Sequence, residues 1–329
     1  MSAGALTITA LAEGGQVTRV DIASSRPRVA GVLIGRPAEE APALAGRLHA
    51  LCGAAHTAAA ESAVAAALGH PQPSPPARAI LAERIGESLR SLATSFLPQE
   101  PRTLRVLRDL LAWLRSTGDA EAITAAASAL GLGERPSENC WLDHIARRLH
   151  ALPPINLQAP DTLGATDDAA ILSALREDGA SFCAQPALPG RRPEAGAFAR
   201  RWRQTELSQG QIAARFKARR ADLRADLALL AANRPDALGL RSVSPAPREG
   251  FACIETARGP LYHWMRASPQ NVVADYAILA PTEWNFHPRG PFAAALAGAA
   301  ADREMLHAVA ALFDPCVGFE ITMREAAHA

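Results

Sequence analysis

Residues 71–78 read Pro-Gln-Pro-Ser-Pro-Pro-Ala-Arg, and no helix can cross them. Each proline lacks an N–H, and its ring clashes with the turn before it. The stretch is therefore a rigid connector, and what lies on either side must fold as separate elements. Pro153-Pro154 and residues 183–196 predict further irregular connectors. Between such breaks the helical spacings are clear. Residues 102–114 set Leu104, Leu107, Leu111 and Leu114 three and four apart, with arginines on the other faces, which predicts an amphipathic helix. A short helix is expected over 165–178. A longer one is expected from Ser208 to Ala232, with Ile212, Phe216, Leu223, Leu227 and Leu230 on one face and charges elsewhere. A last helix starts near Asp302, buries Met305, Leu306, Val309, Leu312 and Phe313, and stops at Asp314-Pro315.

Strand patterns sit toward both ends. Leu6, Ile8 and Ala10 alternate with threonines, Gly14-Gly15 supplies a turn, and Val17, Val20 and Ile22 return. Residues 251–256, 260–266 and 271–280 are β-prone and are separated by Gly259-Pro260 and Ser268-Pro269; residues 234–250 ahead of them predict a loop. From Pro42 to Leu68 the chain is alanine-rich and helix-permissive, with side chains small enough to let neighbouring backbone come close. The expected class is mainly α with small β elements, α+β. The 329 residues suffice for a core that needs no disulfide or metal staple.

A net charge of +1 with 49% apolar residues excludes a disordered chain and gives no sign of nucleic-acid or membrane partners. Arg191-Arg192 and Arg200–Arg203 are expected on the solvated surface. The five cysteines are scattered, odd in number and never spaced C-x-x-C, against both a disulfide framework and a zinc ribbon. With no basic leader and no long apolar run, the expected address is the reducing cytoplasm.

On an unbroken helix His49, Cys52 and His56 would share a face, which could make a Cys/His metal site or an activated thiol; the plain reading is a packed cysteine with half-exposed histidines. Cys316 follows Asp314-Pro315, on a corner that keeps its backbone out of the helix. Arg258-Gly259-Pro260 sets a five-donor fork beside a glycine that admits close backbone, and Pro281-Thr282 sets a hydroxyl after a proline. Both could present donors to a small anionic group, or be ordinary strand ends. Cys140, Cys183 and Cys253 default to packing. Walker, dinucleotide-binding, nucleophile-elbow and H-E-x-x-H motifs are absent.

In order, these pieces resemble the large subunit of nickel–iron hydrogenases. The matching stretches are Gly35-Arg36 to Ala41-Pro42, Cys52-Gly53, Glu255 to Trp264 with Ala257-Arg258-Gly259 inside, and Ala280-Pro281-Thr282-Glu283-Trp284-Asn285 to Pro288-Arg289. Gly290-Pro291 to Leu296 and Asp314-Pro315-Cys316 complete the series. The resemblance covers about residues 5–65 and 250–322. It implies a single large-subunit-like domain over 1–329, a helical bundle with an N-terminal hairpin, a small C-terminal β region and a shortened, divergent middle from about 71 to 250. It also implies that the Cys52 and Cys316 segments are adjacent.

The departures matter as much. Where the family has its two metal-bridging cysteines stand Ala55 and Phe319; the family's final histidine is Thr322, and the arginine before its first cysteine is Ala50. Asp21 is the only carboxylate between Gly14 and Gly35, so the family's proton-relaying glutamate has no evident equivalent. With two thiols where nickel needs four, the chain is expected not to be an enzyme and not to hold nickel. Only residues 323 to 329 follow Thr322, so no C-terminal processing is expected.

What the resemblance retains is the surrounding of iron: Arg258 and Thr282 match the donors to its cyanide ligands, with Ala257, Ala280 and Pro281 beside them. This pattern is similar to the truncated HupK and HoxV accessory proteins. It implies a scaffold that holds the iron dicyano-carbonyl unit through Cys52 and Cys316, with His56 as a further candidate ligand. The unit would come from an upstream maturation carrier and pass to the hydrogenase large subunit. The alternative is a metal-free structural relative, like the descendant subunit in respiratory complex I. A thiol enzyme built on Cys52 and His56 lacks an orienting acid and an oxyanion site.

Overall fold

The computed structural model describes residues 4–116, 120–133, 139–205, 211–232, 234 and 238–325. The fold is α+β, and the chain's two ends meet in one sheet. Strands β1 (Ala5–Glu13) and β2 (Gln16–Ser24) pair as the expected hairpin, with Gly14 and Gly15 both at positive φ in the turn. Leu6, Ile8, Ala10 and Ala12 point into the core, as period two requires. A third strand from the other end of the chain (β9, below) lies parallel to β1.

The alanine-rich run does not form one helix. It folds as α1 (Ala41–Leu48) and α2 (Gly53–Leu68), broken at His49–Cys52, where Cys52 has φ −129° and ψ 38°. Gly46 and Gly53 face each other so closely that a Cβ on Gly46 would lie 2.2 Å from the Thr57 hydroxyl. The chain therefore turns back on itself, and Cys52 caps a helix instead of lying within one.

After the proline connector come α3 (Ala77–Ser95), α4 (Pro101–Arg115), α5 (Ala120–Leu130) and α6 (Trp141–His150). In α4 the buried stripe is Leu107, Leu110 and Leu114, while Leu104 stays exposed. The two-residue strands β3 (Asp161–Thr162) and β4 (Pro193–Glu194) pair in parallel around α7 (Asp168–Ala184), which bends at Asp178. Next are α8 (Ala197–Arg201) and α9 (Ile212–Ala232); the start expected for α9 at Ser208 lies outside the described residues.

The charges of α9 are not all solvated. Arg215, Arg219, Asp222 and Asp226 are buried with its apolar face. Arg84 forks onto Asp226 at 2.7 and 3.1 Å, and Arg215 pairs with Glu194. Arg200, expected at the surface, instead reaches Asp222 at 2.6 Å and Glu255 at 2.9 Å. Buried charge is tolerated only when so paired, and these pairs fix the register of α9 against α3 and α8.

Strands β5 (Arg241–Val243), β6 (Glu249–Thr256), β7 (Gly259–Ala267) and β8 (Val273–Leu279) form an antiparallel meander, so the loop expected over 234–250 contains a short strand. Helices α10 (Pro281–Asn285), α11 (Pro291–Leu296) and α12 (Arg303–Phe313) follow, and β9 (Gly318–Glu325) closes the N-terminal sheet. Asp302 caps α12 through the Met305 N–H at 2.7 Å.

The alanines of α2 let it lie directly on β6. A Cβ at Gly250 would sit 1.8 Å from the Ala63 carbonyl oxygen and 2.9 Å from the Ala67 nitrogen, both helix backbone. Gly250→Ala is accordingly expected to destabilise the protein by about 2–3 kcal/mol. A urea midpoint unchanged from wild type would mean the helix is not held this close.

Candidate functional site

Four breaks in regular structure converge. Cys52 lies in the turn between α1 and α2, Arg258 at the tip of the β6–β7 hairpin, Thr282 in the first turn of α10, and Cys316 between α12 and β9. The hairpin tip is built to carry Arg258: the Thr256 hydroxyl accepts from the Arg258 N–H at 3.2 Å and donates to the Gly259 carbonyl at 2.8 Å. Gly259 has φ 122°, and a Cβ there would strike Ala195 at 2.6 Å, so only glycine fits.

Thr282 and Cys316 are doubly joined. The Thr282 hydroxyl donates to the Cys316 sulfur at 3.2 Å, and the Cys316 N–H donates back at 3.1 Å. Arg258 extends Nη1 toward the Cys52 sulfur at 3.9 Å. Its other contacts are loose: Nη2 lies 3.5 Å from Asp314 and 3.7 Å from Glu87, and its buried Nε has no partner. Asp314 sits in the left-handed region at the end of α12 (φ 54°), held by Ser91 and Arg219. Pro281 is buried beside Thr282, and Ala257 is partly exposed beside Arg258.

The two thiols, half-buried as residues, lie within Coulombic reach of each other and of the same two guanidinium groups, Arg258 and Arg26. Burial pushes the Cys52 thiol up to about 12, against the pull of Arg258. Burial alone would weaken the Arg258 cation; Asp314, the two sulfurs and Glu87 more than offset this and hold it protonated. Arg26 pairs with Glu283 at 2.8 Å.

His56 is turned elsewhere. Its ring stacks on His49 at 3.6 Å between centroids, and its Nδ1 shares a hydrogen bond with His263 Nε2 at 3.0 Å. His263 Nδ1 in turn meets the Tyr276 hydroxyl at 2.8 Å. The shared helical face expected of His49, Cys52 and His56 does not exist, because the helix breaks between them. The two histidines meet across that break instead.

At the departed positions the side chains have other tasks. Ala55 is buried in the first turn of α2, Phe319 packs against the His307 ring, and the Thr322 hydroxyl bonds Thr9 at 3.2 Å across the sheet. Among the described residues, no three His, Cys, Asp or Glu side chains are grouped to hold a metal ion.

Sequence reasoning missed Glu83, Glu87 and Arg26. Glu83 reaches from α3 to accept from the Ala54 and Ala55 N–H groups at 2.8 and 3.1 Å, capping α2 immediately after Cys52. Only the three-dimensional fold puts it there, since no local pattern distinguishes it from other helix carboxylates. Glu83→Ala is expected to remove about 1–2 kcal/mol of stability, the usual worth of a helix cap. Equilibrium denaturation would read this as a lower midpoint, and Glu83→Gln, which keeps an acceptor, should lose less.

A family profile described as nickel-dependent hydrogenase matches residues 195–319, beginning well inside the middle that carried no legible match. The chain is 35% identical to the hydrogenase expression/formation protein HupK of Rhizobium leguminosarum bv. viciae, with 100% of this chain and 99% of that protein covered. It is 34% identical to HupK of Bradyrhizobium diazoefficiens, covering 98% of each, and 32% identical to HoxV of Cupriavidus necator, covering 92% and 93%. Among solved structures, a [NiFeSe] hydrogenase variant from Desulfovibrio vulgaris Hildenborough aligns with a TM-score of 0.60 at 13% identity, covering 96% of this chain and 98% of that one. At such identity the likeness concerns the fold alone.

Proposed function

This chain belongs to the HupK and HoxV family of hydrogenase expression/formation proteins, and from that we propose that it is a non-catalytic scaffold in hydrogenase maturation. Its cargo would be an iron dicyano-carbonyl unit, received from a maturation carrier and released to the hydrogenase large subunit.

The observation that carries this reading is the state of Arg258. A guanidinium buried to 4% exposure, with long contacts and an Nε–H that meets nothing, is short of an acceptor. Leaving such a donor unpaired is costly, and an anionic ligand would remove the cost. The donor set suits this cargo. An iron unit that arrives with its own cyanides and carbonyl needs few protein ligands, and two thiols are what these elements bring near Arg258. Cys52 and Cys316 would each lose a proton as the iron–sulfur bonds form, with Arg258 and Thr282 donating to cyanide. Pro281 and Ala257 would border the carbonyl. Transfer to an incoming cysteine exchanges one thiolate for another, with no change of oxidation state.

No helix among the described residues is long and apolar enough to cross a membrane. The reading is tested by producing the chain anaerobically with its maturation partners, then mixing it with iron-free hydrogenase large subunit. Stoichiometric iron on the chain that moves to the large subunit supports a scaffold. A chain that never carries iron but still promotes maturation supports a metal-free interaction protein.

A further inference from the structure

The N-terminal sheet runs β2-β1-β9, so β9 stands at an edge. Its ladder with β1 extends from the Ala5–Gly318 pair to the Ala12–Glu325 pair without a bulge. An edge strand offers a row of free N–H and C=O groups to any strand that fits. Proteins usually blunt such an edge with a proline, a bulge or a covering segment. The opposite edge is partly blunted: Val17 of β2 donates to the Ala299 carbonyl at 2.8 Å and accepts from the Gly298 N–H at 2.9 Å. β9 has no proline and no bulge, and among the described residues no backbone group bonds to its outer side.

The side chains of β9 sort by face. Phe319, Ile321 and Met323 stand beside Leu6, Ile8 and Ala10 on the core face, and Glu320, Thr322 and Arg324 stand beside Thr7, Thr9 and Leu11 on the other. Met323 is 36% exposed although its face is the core face. Glu320 and Arg324 are exposed, and neither has an ion-pair partner among the described residues.

We propose that β9 pairs antiparallel with β9 of a second copy of this chain, about a two-fold axis at Thr322, joining two three-stranded sheets into one of six strands. Such an axis keeps both solvent faces on the same side and sets each residue opposite the one equally far beyond the axis. The segment is self-complementary in that register. Glu320 of each copy meets Arg324 of the other, and Ile321 meets Met323. Phe319 falls opposite Glu325 and keeps its packing on the His307 ring. An axis at Ile321 would set Glu320 against Thr322, and one at Met323 would set Ile321 against Glu325. The Thr322 register alone pairs both charges, and opposite charges directly across a ladder favour pairing. Cys316 lies roughly 20 Å from that axis at the rise of a strand, so the pairing leaves both thiol sites uncovered.

The test uses the full chain without cargo, so its outcome does not depend on iron binding. Two short strands make a small interface, and the expected Kd is about 10–100 µM. Sedimentation equilibrium from about 1 µM to about 0.5 mM should therefore pass from one chain mass to two, with weaker association at high salt. Glu320→Arg alone sets arginine against arginine, and Arg324→Glu alone sets glutamate against glutamate. Each should weaken self-association about tenfold or more. An equimolar mixture of the two variants should associate again, because every cross-strand pair is then of opposite sign. Glu320→Arg with Arg324→Glu in one chain should do the same, which keeps the test open if either single variant fails to fold. A chain that stays monomeric to about 0.5 mM would overturn the proposal and leave this edge to a strand of another protein. A dimer equally strong in both single variants, or variants whose mixture does not associate, would overturn it as well.

Discussion

Replacing Cys52 or Cys316 with alanine will abolish retention of the iron unit, because one remaining thiolate leaves iron open to water and oxygen. The two sulfurs come from opposite ends of the chain and act on the same pair of arginines, and among the described residues no three His, Cys, Asp or Glu side chains are grouped to hold a metal in their place. Arg258→Ala should weaken retention without abolishing it, by about 2–5 kcal/mol, since a buried anionic ligand would lose its charged donor. Cys140→Ala and Cys253→Ala are the controls. Cys140 is packed in the core beside Gly131, and the Cys253 sulfur accepts from Arg241 at 3.2 Å on the meander. Neither should change the amount of iron held. Full retention in both the Cys52 and Cys316 variants would show that the iron is held elsewhere than on these two thiols.

The second large effect is acid sensitivity, and it comes from the histidines beside the site. Burial pulls the pKa of His263 down to about 3, and burial with His49, His263 and Arg26 nearby keeps His56 well below its ordinary value. In the unfolded chain both return to about 6.5. As pH falls below that value, the unfolded state binds protons that the native state refuses. Stability is therefore complete above about pH 6.5 and is lost as pH falls toward 3. For His263 alone the loss is about 2 kcal/mol at pH 5 and about 4–5 kcal/mol near pH 3. His56 adds to it in the same direction. Urea titrations at pH 7.5 and pH 5 read the effect, and His263→Gln should flatten the dependence. Equal midpoints at the two pH values would show that these histidines are not held neutral by the fold.

Much of this was legible in one dimension, for particular reasons. The hairpin, the meander and the last helix are spelled by alternation, by Gly-Pro pairs and by an Asp cap, all local signals. Cys316 and Arg258 could be singled out because a proline and a glycine mark where backbone leaves regular structure. The break at His49–Cys52 was not legible, because an alanine-rich run permits helix throughout and only the Gly46–Gly53 contact forces the turn. Arg200 and the charges of α9 read as surface, since charge pattern alone cannot distinguish a solvated face from buried pairs. Glu83, Glu87 and Arg26 come to the site from separate elements, and nothing near them in sequence foretells it. The parallel pairing of β9 with β1 joins residues more than 300 positions apart, beyond the reach of any local pattern.

The central claim is that this chain carries an iron unit with cyanide and carbonyl ligands on Cys52 and Cys316. An infrared spectrum of the protein, purified anaerobically from cells that make its maturation partners, tests it most directly, because those ligands absorb where no protein group does. The scaffold reading predicts cyanide and carbonyl bands in the wild type, absent from the Cys52→Ala and Cys316→Ala variants and present in Cys140→Ala. A wild-type spectrum empty of these bands, from cells in which the hydrogenase matures normally, would contradict it.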